Sequence, residues 1–505
     1  MTASVAAVLQ GSGLPSATRP TIVAVALTYF VAVAAIGVWA TRRTRDATDF
    51  FAAGRGIGLL ALSLAAMSST LSGFTFVGGP GFVYSTGLGA MHIILPAALT
   101  GALGAWVLAK RLRLLAEVRD VLTIPDAIGL RYGSPLAQGL SGVALLVAVV
   151  GYMGTNVLAL GVVVDAIFGV GLGWGIWIGT AVVLAYSATG GILAGIYADV
   201  LQGTMMAGAS VLVFLFVLGA GDGLGGISRT ILAAEPGFLG PWGTMSPLAA
   251  ISLFFVFGLG SLGQPHVLHK FFMIRDPRRL KWYPLTVTLA ILLATLLYFG
   301  VGVAVKALVL EGRLQPLANP DAATPLFLLR FTPILLAALV FSGVAAAIMS
   351  TVNSFLNIGA AVVTHDLPVA LGRPVEDELA WGRAATVVIS VAAALTAQLS
   401  GTLVAFLGIF GWGLFASTVV APLAIGLNWR GATREAAVAS IVTGLAFTLL
   451  FEILGYVGAY TFPAGVTVAG SSLVLSIVVF FGVSLWTGRD GAEEIADDVR
   501  VVMEV

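Results

Sequence analysis

Apolar residues run through this chain in stretches of about 20, broken by short polar segments. That is the length a helix needs to cross a hydrocarbon core ~30 Å thick. Thirteen such runs are read, at about 22–41, 57–86, 90–109, 136–160, 174–190, 193–219, 247–268, 283–307, 326–361, 384–400, 403–427, 435–456 and 467–487. The expected architecture is an all-α integral membrane bundle of about 13 helices. Before it lies a tail at 1–21, and after it a tail at 488–505.

Composition agrees with this pattern. Of 505 residues, 59% are hydrophobic and 10% charged, with a mean hydropathy of +1.03. Soluble domains carry about a quarter charged residues. The 63 glycines would weaken soluble helices, but in a bilayer small residues let helices pack closely and broken helices line cavities. A net charge of +1 offers no field to attract nucleic acid. With no cysteine, disulfides, thiolate metal sites and iron–sulfur clusters are excluded. The first twenty residues lack a basic segment ahead of an apolar one, so no cleaved signal peptide is read.

The charges order the spans. Threading thirteen spans puts 20 of the 25 Lys and Arg residues on one side: Arg42, Arg43, Arg45, Arg55, Lys110, Arg111, Arg113, Arg119, Arg131, Lys270, Arg275, Arg278, Arg279, Lys281, Arg373, Arg383, Arg430, Arg434, Arg489 and Arg500. The positive-inside rule then places the N-terminus outside the cell membrane and the C-terminus in the cytoplasm.

Two spans are interrupted. The second reads Ser68-Ser69-Thr70-Leu71-Ser72-Gly73-Phe74, then Gly78-Gly79-Pro80-Gly81. The seventh reads Phe257-Gly258-Leu259-Gly260-Ser261-Leu262-Gly263-Gln264-Pro265-His266. Small residues also serve close packing. Paired interruptions at matched places in two halves, however, point to a transport site where unwound backbone exposes carbonyls to cations.

The ninth span adds Ala347, Ser350, Thr351, Asn353 and Ser354 at helical spacing, a face of oxygen donors without a full charge. Hydrogen bonding back to the same helix is the alternative use of such hydroxyls. Asp199 lies about two turns inside its span and needs a partner or water there. It is a structural carboxylate, a cation ligand or a proton carrier. Asp165 is read as solvated near a helix end. His92, His266, His269 and His365 form no visible haem or zinc motif, and His266 and His269 are read at a cytoplasmic helix end.

At these residues the chain resembles the sodium:solute symporter family, whose sodium-galactose, sialic acid and proline carriers share a leucine-transporter-like inverted repeat. Gly54-Arg55-Gly56, Gly79-Pro80-Gly81, the Gly190–Gln202 block and the Ala347–Ser354 block carry the resemblance, which runs from about 20 to 490. It implies a five-plus-five repeat over about 57–219 and 247–427, one extra helix at 22–41, and two more within 435–487. It also implies sodium ligands at Ser68, Leu71, Ala347, Ser350 and Thr351, with a possible second sodium at Asp199, Ser350, Asn353 and Ser354.

Phe257, Ser261 and Pro265 correspond to substrate contacts in the similar proline branch, and Thr70, Thr75, Tyr152, Asn156 and Gln264 are further candidates. Ser261 and Phe257 stand where proline carriers place larger aromatics, Thr70 where they place an Asp, and Leu259 at the galactose carriers' aromatic gate. Tyr152 and Asn156, four apart, either line the cavity or bond between helices.

The expected activity is sodium-coupled import of a small organic solute by alternating access, not enzymatic catalysis. Sodium is expected as the coupling ion, with no organic cofactor. The expected partners are the solute and the lipid bilayer, with no nucleic acid and no obligate protein. A proton-coupled carrier, a membrane enzyme and a sodium-responsive receptor are the rivals.

Overall fold

The computed structural model describes residues 19–41, 57–119, 121–187, 192–373, 375–401, 403–488 and 495–504. The Gly54-Arg55-Gly56 and Gly190-Gly191 stretches, Arg42, Arg43, Arg45 and Arg489 lie outside the described residues. Within them the regular structure is helical, apart from an isolated bridge between Ile57 and Ile274.

Helix α1 is Arg19–Thr41. The second apolar run is split into α2 (Leu59–Thr70) and α3 (Gly79–Thr86), with a widened π-helical turn at Phe74–Gly78. Then come α4 (Met91–Gly104), α5 (Lys110–Val118), α6 (Ile124–Tyr132) and the long α7 (Pro135–Phe168). They are followed by α8 (Leu172–Ser187), α9 (Ile192–Ala220) and α10 (Gly223–Ala234). The seventh run is also split, into α11 (Pro247–Gly258), a 3₁₀ segment at Leu259–Gly263 and α12 (Pro265–Phe271). Next are α13 (Tyr283–Leu310), α14 (Ala323–Phe331), α15 (Ile334–Ala361) and α16 (Leu367–Ala370). The chain closes with α17 (Glu378–Ser400), α18 (Val404–Val419), α19 (Arg434–Tyr456), α20 (Val468–Thr487) and the short α21 (Asp497–Met503).

Among the described residues, helix covers most of each expected span, with non-helical residues inside the second, seventh and ninth. Ten helical stretches among the described residues are long and apolar enough to cross a membrane, and shorter apolar helices lie at Pro20–Tyr29, Leu59–Thr70 and Leu172–Leu184. Helix length alone therefore does not establish thirteen crossings. The ninth span begins later than expected. Thr332 is extended ahead of Pro333, which ends α14 and lets α15 start only at Ile334. Helix starts follow local chemistry: Ser134 and Ser246 each accept an amide from the third residue of the helix that follows.

The charged groups sort to two ends of the bundle. At one end Arg113 donates to the Ile274 carbonyl at 3.0 Å and Arg111 to that of Met503 at 3.3 Å. There, α21 also pairs with Arg119 through Asp498 and with Arg430 through Glu504. His365 meets Asp126 at 3.0 Å and Thr123 meets Asp366 at 2.6 Å, pinning α6 to the end of the α15 run. At the other end Lys306 pairs with Glu235 at 2.6 Å and Arg313 donates to Ala220 at 2.6 Å.

Two charges depart from their expected places. Asp165 is fully buried rather than solvated, because its carboxylate accepts the Gly171 amide at 2.8 Å and closes the turn after α7. Lys270 is not a loop residue; it is buried on α12.

Helix α18 is thoroughly enclosed and packs against α7 at backbone distance. A Cβ added at Gly411 would lie 2.7 Å from the Tyr152 backbone nitrogen. Replacing Gly411 with Ala must therefore push α18 away from α7, and overpacking of this kind costs about 1–3 kcal/mol. The expected result is a lowered unfolding temperature of the purified protein; unchanged stability would contradict the close approach.

Candidate functional site

The break in the second span begins with residues that bond locally rather than along a helix. Thr70 Oγ1 donates back to the Ala66 carbonyl at 2.8 Å. Leu71 leaves helical geometry, at φ −86 and ψ 88. The Gly73 amide, which in a continuous helix would serve Ser69, instead donates to Asn156 Oδ1 at 3.1 Å. The Phe74 amide, which would serve Thr70, donates to Ser72 Oγ at 3.3 Å. The carbonyls of Ser69 and Thr70 thus lose their usual helical partners. Asn156 is itself held by donating to the Tyr152 carbonyl at 3.0 Å, and the Tyr152 hydroxyl lies 3.3 Å from that of Ser72.

Helix α15 faces this break. Thr351 Oγ1 lies 3.2 Å from the Ser69 carbonyl and 3.0 Å from that of Ala347, so the seam holds carbonyl and hydroxyl oxygens from both helices. Ser68, Leu71, Ala347, Ser350 and Thr351 are all buried here. The Ser68 hydroxyl reaches Gln202 Oε1 at 3.5 Å, and Gln202 in turn donates to the Tyr29 hydroxyl at 2.7 Å.

Asp199 stands beside this seam on α9, at 3% exposure. Its carboxylate accepts from Lys270 Nζ at 2.8 Å, from the Ser350 hydroxyl, and from Ser69 Oγ at 3.4 Å. Four helices, α2, α9, α12 and α15, therefore meet at one buried ion pair. Asn353 is buried and Ser354 partly so, one turn along α15.

The seventh-span break is built differently. Pro265 restarts the helix as α12, and Gln264 before it is extended, at φ −81 and ψ 104. The Gln264 amide group lies 2.9 Å from the Gly260 carbonyl and 3.2 Å from that of Trp412, so the side chain ties the break to α18. The Ser261 hydroxyl lies 2.8 Å from both Thr100 Oγ1 and the Gly258 carbonyl.

Aromatic rings join the two breaks. Phe74 stacks on Phe257 at 5.7 Å, and Phe257 on Trp412 at 5.2 Å. Tyr152 and His266 stack at 6.2 Å, with Phe355 4.7 Å from His266.

Of the expected substrate residues, Phe257, Tyr152 and Gln264 converge on Trp412, Pro265 is buried at the start of α12, and Ser261 turns its hydroxyl to Thr100 of α4. Thr75 is buried on the π-helical turn, while Thr70 turns its hydroxyl back on its own helix. Asn156 serves as the partner of the broken backbone.

His266 corrects the expectation of a cytoplasmic helix end. It is 1% exposed, with neither ring nitrogen hydrogen-bonded, and Gln264 Oε1 is likewise unpaired. The Pro265 restart is the signal that could have placed His266 inside, since it makes His266 a first-turn residue of a half-helix within the apolar run. The Lys270 partner of Asp199 and the Ser69 carbonyl were also missed. Asp199's need for a counter-charge was the signal for the lysine.

Residues 50–444 match the family model described as Sodium:solute symporter family. The chain is similar to the high-affinity proline transporter PutP of Bacillus subtilis (strain 168), 30% identical, over 83% of this chain and 90% of that protein. It is also similar to the sodium/pantothenate symporter of Escherichia coli (strain K12), 26% identical, over 90% of this chain and 94% of that one. Among solved structures it resembles a substrate-bound, outward-open Na+-coupled sialic acid symporter, with TM-score 0.71 and 18% identity, over 92% of this chain and 98% of that chain. That likeness identifies the fold as leucine-transporter-like, with the two interrupted helices as its discontinuous elements.

The Asn156 bond to the break is testable alone. Asn156→Ala leaves the Gly73 amide buried without its acceptor, which costs about 1–3 kcal/mol. Lower thermal stability is expected, and equal stability would show that the break does not depend on this side chain.

Proposed function

Because the chain belongs to the sodium:solute symporter family, we propose that it is a sodium-coupled symporter importing a small organic solute across the plasma membrane by alternating access. Its family is one of transporters, and it is not an enzyme. The observation that carries the reading is the seam where the broken end of α2 meets the hydroxyl face of α15.

Sodium is held there by the backbone oxygens of Ser68, Leu71 and Ala347 and the hydroxyls of Ser350 and Thr351. Hard cations favour oxygen ligands, and a monovalent ion needs little compensating charge. Because α2 and α15 each supply ligands, the ion binds most tightly when they are apposed. That differential affinity lets its gradient bias the cycle.

The solute occupies the region between the two breaks, against Phe257 and Tyr152. Ser261, Gln264, Pro265 and Thr75 lie at its edges, and the unpaired nitrogens of His266 add polar capacity. The relatives named for proline and for pantothenate support a solute class of amino acids, monocarboxylates and related small organic acids or vitamins. Ser261, smaller than the aromatics of the proline branch, gives room for a larger ligand than proline. The basic residues gathered with α21 at one end support a cytoplasmic C-terminus, and thirteen crossings would then put the N-terminus on the extracytoplasmic side.

Thermal unfolding of purified protein in sodium chloride and in choline chloride tests the sodium site. Sodium at 100 times its dissociation constant should stabilise by about 2.7 kcal/mol. The Ser350→Ala/Thr351→Ala variant should lose that increment, and an increment of equal size in the variant would refute the assignment. In a solute panel, the true solute should bind about 5- to 150-fold more tightly with sodium than without it; equal affinities would contradict tight coupling.

A further inference from the structure

We infer that the ammonium of Lys270 permanently occupies the second cation position of this protein, so that the chain binds one sodium ion rather than two. The inference rests on the sodium-symport reading above and concerns the cluster on which a second sodium was expected, Asp199, Ser350, Asn353 and Ser354.

The expected ligand that carries charge is Asp199, and its charge is already matched. Lys270 Nζ stands 2.8 Å from Asp199 Oδ2, and the two residues are 5% and 3% exposed. Ser350 and Ser69 complete the carboxylate's bonds, the first on Oδ1 and the second on Oδ2 at 3.4 Å. A sodium ion entering beside Asp199 would bring a second positive charge against the ammonium of a buried pair, where the low dielectric screens like charges weakly. The carboxylate would then face two cations, and the cluster would carry a net buried charge, which proteins avoid.

A lysine is suited to this role. Its ammonium is a compact point charge with three donors on a flexible stem, so it mimics a bound alkali ion while remaining tethered to α12. Through Asp199 it also orients the first site. A hydroxyl has one hydrogen and two acceptor lone pairs. The Ser350 hydroxyl gives its hydrogen to Asp199, leaving its lone pairs for the ion in the adjoining seam. Lys270 is thus a built-in cation that sets the stoichiometry and, through Asp199, positions a ligand of the single external ion.

Equilibrium binding of ²²Na⁺ to purified protein at pH 8, counted per chain, tests this without knowledge of the solute. The expected counts are one for the natural chain, one for Lys270→Arg, two for Lys270→Met and one for Lys270→Met/Asp199→Asn. Lys270→Gln serves as the second neutral variant if Lys270→Met does not elute as a folded, monodisperse species. Two ions in the natural chain would overturn the inference while leaving sodium coupling intact. A count of one in a folded neutral variant at position 270 would also overturn it, since Asp199 would then have no latent place for an ion. No bound sodium in the natural chain would instead defeat the sodium-coupling reading on which the inference stands.

Discussion

A backbone that stops being helical inside a bilayer must find partners for every amide and carbonyl it releases, because hydrocarbon supplies none. The interruption after Thr70 meets that demand from three directions. Asn156 takes one amide, the Ser72 hydroxyl takes another, and Thr351 reaches a freed carbonyl from the facing helix. Removing the interruption would restore the helix and abolish the oxygen-lined seam. The rest of the bundle is arranged so that it need not be removed.

The two interrupted spans are stabilised by different means. The first depends on hydroxyl and amide side chains from α7 and α15, which leave oxygen atoms facing inward. The second depends on proline chemistry: Pro265 restarts a helix, Gln264 is forced extended, and its amide group ties the gap to α18. The aromatic stack of Phe74, Phe257 and Trp412 couples both breaks to α18. The two breaks are thus in direct packing contact through one run of rings. On the proposed symport reading, such contact is the path by which an ion and a solute would influence each other's binding.

Much of this was legible in the residues. Apolar runs of membrane-spanning length marked the helices, and Ser, Gly and Pro inside those runs marked both breaks, because each of these residues acts on its own backbone. The hydroxyl face of α15 was legible for the same reason. What could not be read was who meets whom. Lys270 looked like one more basic residue in a cluster after a span, yet it lies in the interior because its partner, Asp199, comes from a different helix. Asp165 looked like a solvated helix end, yet it closes a buried turn. Asn156 was open to bonding between helices, but nothing in its neighbourhood named Gly73, 83 positions away, as its partner. Such pairings arise from tertiary contact, and local pattern carries no record of them. The split of the ninth run at Pro333 is a different case, a local signal outweighed by the continuity of the apolar residues around it.

The central claim is that oxygens exposed by the interruption near Leu71, together with Ser350 and Thr351, enclose an alkali ion. The most direct measurement is a pair of high-resolution experimental maps of the natural chain, one prepared in sodium and one in choline. The account predicts density for an ion in the sodium map, surrounded by the carbonyls of Ser68, Leu71 and Ala347 and the two hydroxyls, and its loss in choline. Identical maps in the two salts, with the seam closed by direct contact between α2 and α15, would contradict it.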